Sequence, residues 1–419
     1  MAESPISLVL IQASSKSWSG EKDECLYLFG GGEPKFIHTT KKLLTFFEPS
    51  KIKLIAPEFD RPNTANKQGL EQSLHSNGLD IEVAYSHDHS PLLRIIDATA
   101  ELRDEEFILR INGQNLFIHE KMLTLAFDKV ESNCTDLDLV KFVDDYPAQM
   151  TFDVYKVGFL RFVAKSIPRD SPLHIHPKYF LLENKCNVST LPQIMPWSDT
   201  QLTNFRKMLV EDPGDDFRTV TEMRVPVADQ LTFHYELVKP SIKPGDIILD
   251  LACGEGYGSS ILSKKLFELQ GLTSNSGSGL VIAGDISAET LNRAGESHPK
   301  LGNVVWRILD ADSINLESES IDLFTCFETL EHIPSLDRGI QEFHRVLKFG
   351  GKGFFSTPQN CFGNFPMTYW HEKEFSREEV LEAVQRYFKI ERFIGIKQGT
   401  IFQDGDPIGS NSFVEVTKV

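Results

Sequence analysis

ILDLACGEGYGS, residues 248–259, is the stretch that decides how this chain is read. An apolar run ends in Asp250 and gives way to Ala252, Gly254, Gly256 and Gly258 before a helical pattern begins. Small residues there let the backbone turn sharply from strand to helix and approach a bound ligand closely. Residue identity excludes two other glycine-rich turns. A dinucleotide fingerprint G-x-G-x-x-G would put glycine where Ser259 stands, and a phosphate-binding P-loop needs Gly-Lys-Ser/Thr, which is absent.

Downstream, residues 246–253, 279–286, 303–311, 322–330 and 351–358 read as strands with a helix between most pairs, which predicts one doubly wound α/β sheet. A Ser/Gly-rich insert within 266–280 reads as a flexible surface loop. Upstream, 6–12, 51–60, 79–85 and 105–113 are strand candidates, with helical periods at about 35–47 and in NKQGLEQSLHS and EKMLTLAFDKV. That alternation predicts a parallel, helix-covered sheet. Pro, Gly and acidic residues between 190 and 235 mark a boundary near 213, so the expected organisation is a domain at 1–212, a linker at 213–235 and a domain at 236–419. The length of 419 residues agrees, because single cores stop growing at roughly 250 to 300.

Hydrophobic residues at 41% and charged residues at 25% are ordinary for a soluble globular chain and disfavour disorder or coiled coil. A net charge of −17, with no run of basic residues, excludes nucleic acid as an expected partner. The six cysteines lie far apart without a C-x-x-C pair, Glu3 stands where a signal peptide wants positive charge, and no stretch approaches the roughly 18 to 20 apolar residues of a membrane span. A cytoplasmic location is expected, and oligomerisation is left open.

The 248–259 stretch resembles the D-x-(G/A)-x-G-x-G motif of class I S-adenosylmethionine-dependent methyltransferases. The likeness continues through SIDLFTCFETLEHIP (320–334), FHRVLKFGGKGFFSTPQN (343–360) and WHEKEFSREEVLEAV (370–384), which look like the later segments of the branch acting on small molecules and sugars. The resemblance implies S-adenosylmethionine as cofactor. Its ammonium group is assigned to Asp250 and its bulk to the turn of Ala252, Gly254 and Gly256. Asp285 is expected to accept from both ribose hydroxyls, with Ile286 beside it. Its distance from the glycines exceeds the usual ~20 residues because of the insert. Asp310 is expected at the adenine amino group, the Ala311 N–H at the ring, and Glu328 among the cofactor contacts. Methyl transfer is an in-line displacement, so the enzyme supplies alignment and, for a hydroxyl acceptor, a base. His332 and His371 are the catalytic candidates, each with a plain packing role as the competing reading. Glu331 is read either as a partner of a cofactor hydroxyl or as a helix start, and Tyr369 and Trp370 as a stacking surface for a sugar or as packing. No metal ligand is assigned.

The first half looks similar to GT-A-type nucleotidyltransferases and spore-coat polysaccharide proteins, which handle nucleotide sugars, and a GT-A-like Rossmannoid α/β sheet is the fold this implies. In its first loop Lys16, Gly20 and Lys22 remain, with Ser14 and Ser15 in the expected basic stretch. The family's R-x-x-G-D pattern is broken: Arg110, Asn112 and Gly113 are followed by Gln114, and an amide does not hold Mg²⁺ as a carboxylate does. Asp153 is a second acid. The reading is a degenerate domain that binds a sugar nucleotide or glycan, or only supports the fold. His174 and His176 are read as a solvated strand face. Together the halves predict a methyltransferase that O-methylates a sugar of a surface polysaccharide or its nucleotide-linked precursor. The alternatives are a bifunctional enzyme with a working nucleotidyltransferase, or a non-catalytic scaffold.

Overall fold

Apolar strand runs build two seven-stranded sheets, one in each of two units of the chain, in a computed structural model that describes residues 4–16, 22–30, 32–62, 69–182, 184–210, 227–270, 279–363, 371–396 and 409–419. Gly20, Tyr369, Trp370 and residues 271–278 of the expected insert lie outside the described residues.

In the first unit the strands are β1 (Ile6–Gln12), a small ribbon of β2 (Leu28–Phe29) and β3 (Glu33–Pro34), β4 (Ile52–Ala56), β5 (Glu82–Tyr85), β6 (Phe107–Asn112), β7 (Leu139–Lys141), β8 (Asp153–Lys156) and β9 (Val188–Thr190). The sheet order is β5-β4-β1-β6-β8-β7-β9. Strands β5, β4, β1 and β6 are parallel, whereas β8 runs antiparallel to both β6 and β7. The all-parallel expectation is therefore corrected to a mixed sheet, because the short β7 and β8 carry no helical period between them. The chain steps from β1 to β4 to β5 on one side, then returns to place β6 on the other, so β1 and β6 flank a topological switch point.

In the second unit β10 (Ile247–Leu251), β11 (Leu280–Asp285), β12 (Val304–Ile308), β13 (Ile321–Cys326), β14 (Leu347–Pro358), β15 (Lys389–Ile396) and β16 (Asn411–Thr417) form the order β12-β11-β10-β13-β14-β16-β15. Here too one strand is reversed, β16, which pairs antiparallel with β14 and β15. Alternate residues of the central strands feed two cores, as the two-residue period of a strand requires. Leu249, Leu251, Phe324 and Phe355 pack on one face with the helices Leu336–Val346 and Arg377–Gln385. Ile248, Val281, Leu323 and Phe354 pack on the other with Leu262 and Leu266 of the helix Tyr257–Gln270. That helix already covers the first residues of the expected insert. The unit also takes in residues before 236: the helix Val227–Val238 begins inside the expected linker and runs past its end, and its Tyr235 and Val238 are buried in the second core. No helix among the described residues is long and apolar enough to cross a membrane.

Candidate active site

The carboxyl ends of β10, β11, β12 and β13 bring the sequence-predicted residues to one edge. Asp250 is 1% exposed, one residue before the end of β10. Its Oδ1 accepts from Tyr235 Oη (3.1 Å) and Thr325 Oγ1 (2.7 Å), and its Oδ2 from Ser259 Oγ (2.6 Å). Burial raises its pKa, while these three hydroxyl bonds pull the other way. Asp250 is thus no open acid at the strand tip. It is the post on which the turn, the preceding helix and β13 are hung.

The turn itself is left-handed at Ala252 (φ 61°), Gly254 (φ 54°) and Gly256 (φ 80°). A Cβ at Gly256 would lie 2.3 Å from the Trp306 ring, so only glycine fits there, whereas a Cβ at Gly254 would meet open space. The Gly254 N–H donates to Asp285 Oδ2 (3.1 Å) and the Ser287 N–H to Asp285 Oδ1 (2.9 Å), which ties the turn to the end of β11. Beside Asp285, Ile286 is 65% exposed, and Ile308, which pairs with Asp285 across the β11–β12 register, is 64% exposed. Asp310 is exposed in a turn, where its Oδ1 accepts from the Asp312 N–H (2.9 Å), with Ala311 half-buried beside it.

After β13 the chain passes through Glu328, held at φ 49°, a strained value for a non-glycine residue, and enters a short 3₁₀ turn, Leu330–His332. Glu328 accepts from Ser356 Oγ (2.7 Å) and Asn411 Nδ2 (2.6 Å). Glu331, 1% exposed, accepts from Thr357 Oγ1 (2.8 Å). Burial first, and then the charge of Glu328, push its pKa up to about 8, against the pull of His371. The two histidine candidates meet: their ring centroids are 5.0 Å apart, at 76°. His371 Nδ1 lies 2.8 Å from Glu374 Oε1, and Glu374 Oε2 accepts from Asn360 Nδ2 (2.9 Å). Burial lowers the His371 pKa, but the Glu374 bond and the charges of Glu331, Glu374 and Glu328 together raise it above its ordinary value.

Glu331, His332 and His371 each offer a donor atom, all within 4.8 Å of one another, a mixed carboxylate and imidazole set suited to a divalent transition metal. Sequence reasoning named all three residues without seeing that they converge. It missed Tyr235, Thr325 and Thr357, which differ in no visible way from packing residues, and it missed Glu374, whose only signal is its spacing three residues after His371.

Residues 249–355 match the family model of the methyltransferase domain. The ubiquinone biosynthesis O-methyltransferase of Coxiella burnetii is 30% identical over 120 residues, 28% of this chain and 46% of that protein. A ubiquinone/menaquinone biosynthesis C-methyltransferase of Stenotrophomonas maltophilia is 30% identical over 121 residues, 28% of this chain and 44% of that protein. The chain therefore spans less than half the length of these curated relatives. A SAM-dependent methyltransferase from Aquifex aeolicus of known structure is 21% identical, covering 46% of this chain and 94% of that one at a TM-score of 0.37. By the family-model match the second unit carries a methyltransferase domain, a class whose cofactor is S-adenosylmethionine.

Proposed function

We propose that this chain is an S-adenosylmethionine-dependent methyltransferase acting on a hydroxyl of a small molecule. The observation that carries this reading is the placement, at one sheet edge, of a left-handed turn tied to Asp285 beside two converging histidines with a carboxylate on one of them. The residues fit the cofactor. The open space at Gly254 would take its amino-acid end, Asp285 would accept from the ribose hydroxyls, and exposed Ile286 and Ile308 would give apolar contact to adenine near Asp310 and Ala311. Asp250 acts from beneath by holding the turn, and Glu328 reaches the same side through Ser356 and Asn411. When bound, the cofactor supplies an electrophilic methyl group.

The chain's own task is alignment and proton removal. A carboxylate only accepts, so Glu374 fixes the proton of His371 on Nδ1 and leaves Nε2 as the basic atom. His332 packs against that ring and helps fix its position. In a second reading, favoured by the 4.8 Å cluster, Glu331, His332 and His371 would hold a divalent ion, which would supply Lewis acidity toward the acceptor hydroxyl.

For the acceptor we retain a sugar hydroxyl of a surface polysaccharide or its nucleotide-linked precursor, with the first unit as a degenerate GT-A-like module binding a sugar nucleotide in the cytoplasm. What supports this is the first unit's largely parallel sheet with its switch point at β1 and β6. A working nucleotidyltransferase is disfavoured, because Asp153 lies 3.6 Å from Arg110 and 3.8 Å from Lys178 and so already faces two cations. The names of the relatives make a quinone-type aromatic the competing acceptor. Methyl-labelled S-adenosylmethionine incubated with panels of nucleotide sugars and of catechols tests the reading: label is expected on a hydroxyl of one panel. His371→Ala should lower turnover about 10²- to 10⁴-fold while leaving cofactor affinity intact. Dialysis against EDTA separates the two mechanisms, since a His371 base needs no metal. An absence of transfer to either panel would contradict the assignment.

A further inference from the structure

The first unit's carboxyl sheet edge carries a group of cations that the methyltransferase reading does not use. Arg94 stands in the first turn of the helix Pro91–Ala98, directly after β5, and is 5% exposed. Its Nη1 donates to the carbonyls of His87 (3.1 Å) and Asp88 (3.5 Å), its Nε has no hydrogen-bond partner, and no carboxylate among the described residues forms an ion pair with it. A buried guanidinium with no carboxylate at ion-pair distance is costly, and such charges are ordinarily paired or hold a ligand. Burial first, and then the nearby Arg110 charge, push its pKa down to about 10, against the longer-range pull of Asp60, Asp88 and Asp23, none of which reaches ion-pair distance.

Arg110 lies on β6 at the switch point, paired in register with Leu10 of β1 and with Asp153 of β8. Its Nη2 donates to Gln12 Oε1 (2.9 Å) at the end of β1. Lys178 reaches the same Asp153 carboxylate from the 3₁₀ helix Pro177–Leu182. Asp60, after β4, is already committed to the Ser15 backbone N–H (2.8 Å) and hydroxyl. His176, near Arg110 and Lys178, has its pKa lowered to about 3 by burial and by both cations and adds no charge. The expected strand face for His174 and His176 is corrected here: Pro172 and Pro177 break any strand, and His174 is buried in a 3₁₀ turn, where its Nδ1 lies 2.8 Å from Ser90 Oγ.

We propose that Arg94, Arg110 and Lys178 bind the diphosphate of a nucleoside-diphosphate ligand directly, with no divalent cation, at the switch point of the first unit. This rests on the reading of that unit as a nucleotide-sugar module and specifies how it binds. Where the resemblance puts a metal-holding acid, this chain has Gln114, and the remaining acid, Asp153, faces cations. Guanidinium groups supply the positive charge that a metal otherwise brings, and their forked N–H groups match phosphate oxygens.

The test is calorimetric titration of UDP and of inorganic pyrophosphate into the full chain, once with EDTA and once with Mg²⁺. Binding in EDTA is expected, weakened at least tenfold in Arg94→Gln and in Arg110→Gln. Asp153→Asn is the sharper variant: removing the carboxylate frees both cations, so affinity should hold or rise, whereas a metal site would lose it. Binding only with Mg²⁺ and lost in Asp153→Asn would overturn the proposal but keep the nucleotide-module reading. No binding in either buffer would overturn both.

Discussion

The two sheets share a plan and differ in the sign of their working edge. Each is a largely parallel seven-stranded sheet with a single reversed strand, β8 in the first unit and β16 in the second. At the carboxyl ends of the second sheet stand Asp250, Asp285, Asp310, Glu328 and Glu331. At those of the first, Arg110 and Lys178 flank the buried Asp153, and Arg94 stands near Arg110 with Asp60, Asp88 and Asp23 at longer range. The difference teaches that the edge residues, rather than the sheet, distinguish the two units: under the proposals above, one edge takes a sulfonium and ammonium compound and the other a phosphorylated one. It also shows why a chain of net charge −17 can present a cationic site. Positions 94, 110 and 178 form no run in sequence and meet only through the fold, so the absence of a linear basic patch said nothing about them.

If the edges act independently, damage to one should leave the other untouched. The larger effect is expected at Asp285. Asp285→Ala removes the acceptor proposed for the ribose hydroxyls and the tie to Gly254, and charge-assisted bonds contribute about 1.5 to 3 kcal/mol each. S-adenosylhomocysteine affinity should fall at least tenfold in calorimetry while pyrophosphate affinity stays as it was. A fall in both would mean the edges are coupled.

A smaller effect, confined to the second unit, is expected at His234. This side chain is buried against Phe327 and Phe413, its Nε2 makes no hydrogen bond although Glu328 Oε1 lies 3.9 Å away, and burial pushes its pKa down to about 4 from the usual 6.5. Between those values the unfolded chain binds the proton that the folded chain refuses, so stability rises with pH through this window and is lost as pH falls. Going from pH 7 to pH 5.5 should cost about 1 kcal/mol in urea unfolding, and His234→Gln should flatten that dependence. An unchanged slope in the variant would place the sensitivity elsewhere.

Much of the second unit was legible because its signals are local. The strand, the small-residue turn and the helix of 248–259 are contiguous, and Asp285 ends the next strand. Glu331, His332 and His371 were readable one at a time, but their convergence depends on the return of the chain after β14, which no spacing encodes. The structural part of Asp250 was not visible for a related reason. Its three hydroxyl partners come from positions 235, 259 and 325, so an acid that looks open at a strand tip is enclosed by the fold. In the first unit, strands of three or four residues such as β7 and β8 are too short to show a period, and the reversed strand went unseen with them.

The central claim is that the turn at 252–256 with Asp285 receives S-adenosylmethionine. Titrating S-adenosylhomocysteine, and separately NAD, into the full chain tests it most directly. One S-adenosylhomocysteine bound per chain and no response to NAD is the outcome this account predicts; a response to NAD alone, or to neither, would contradict it.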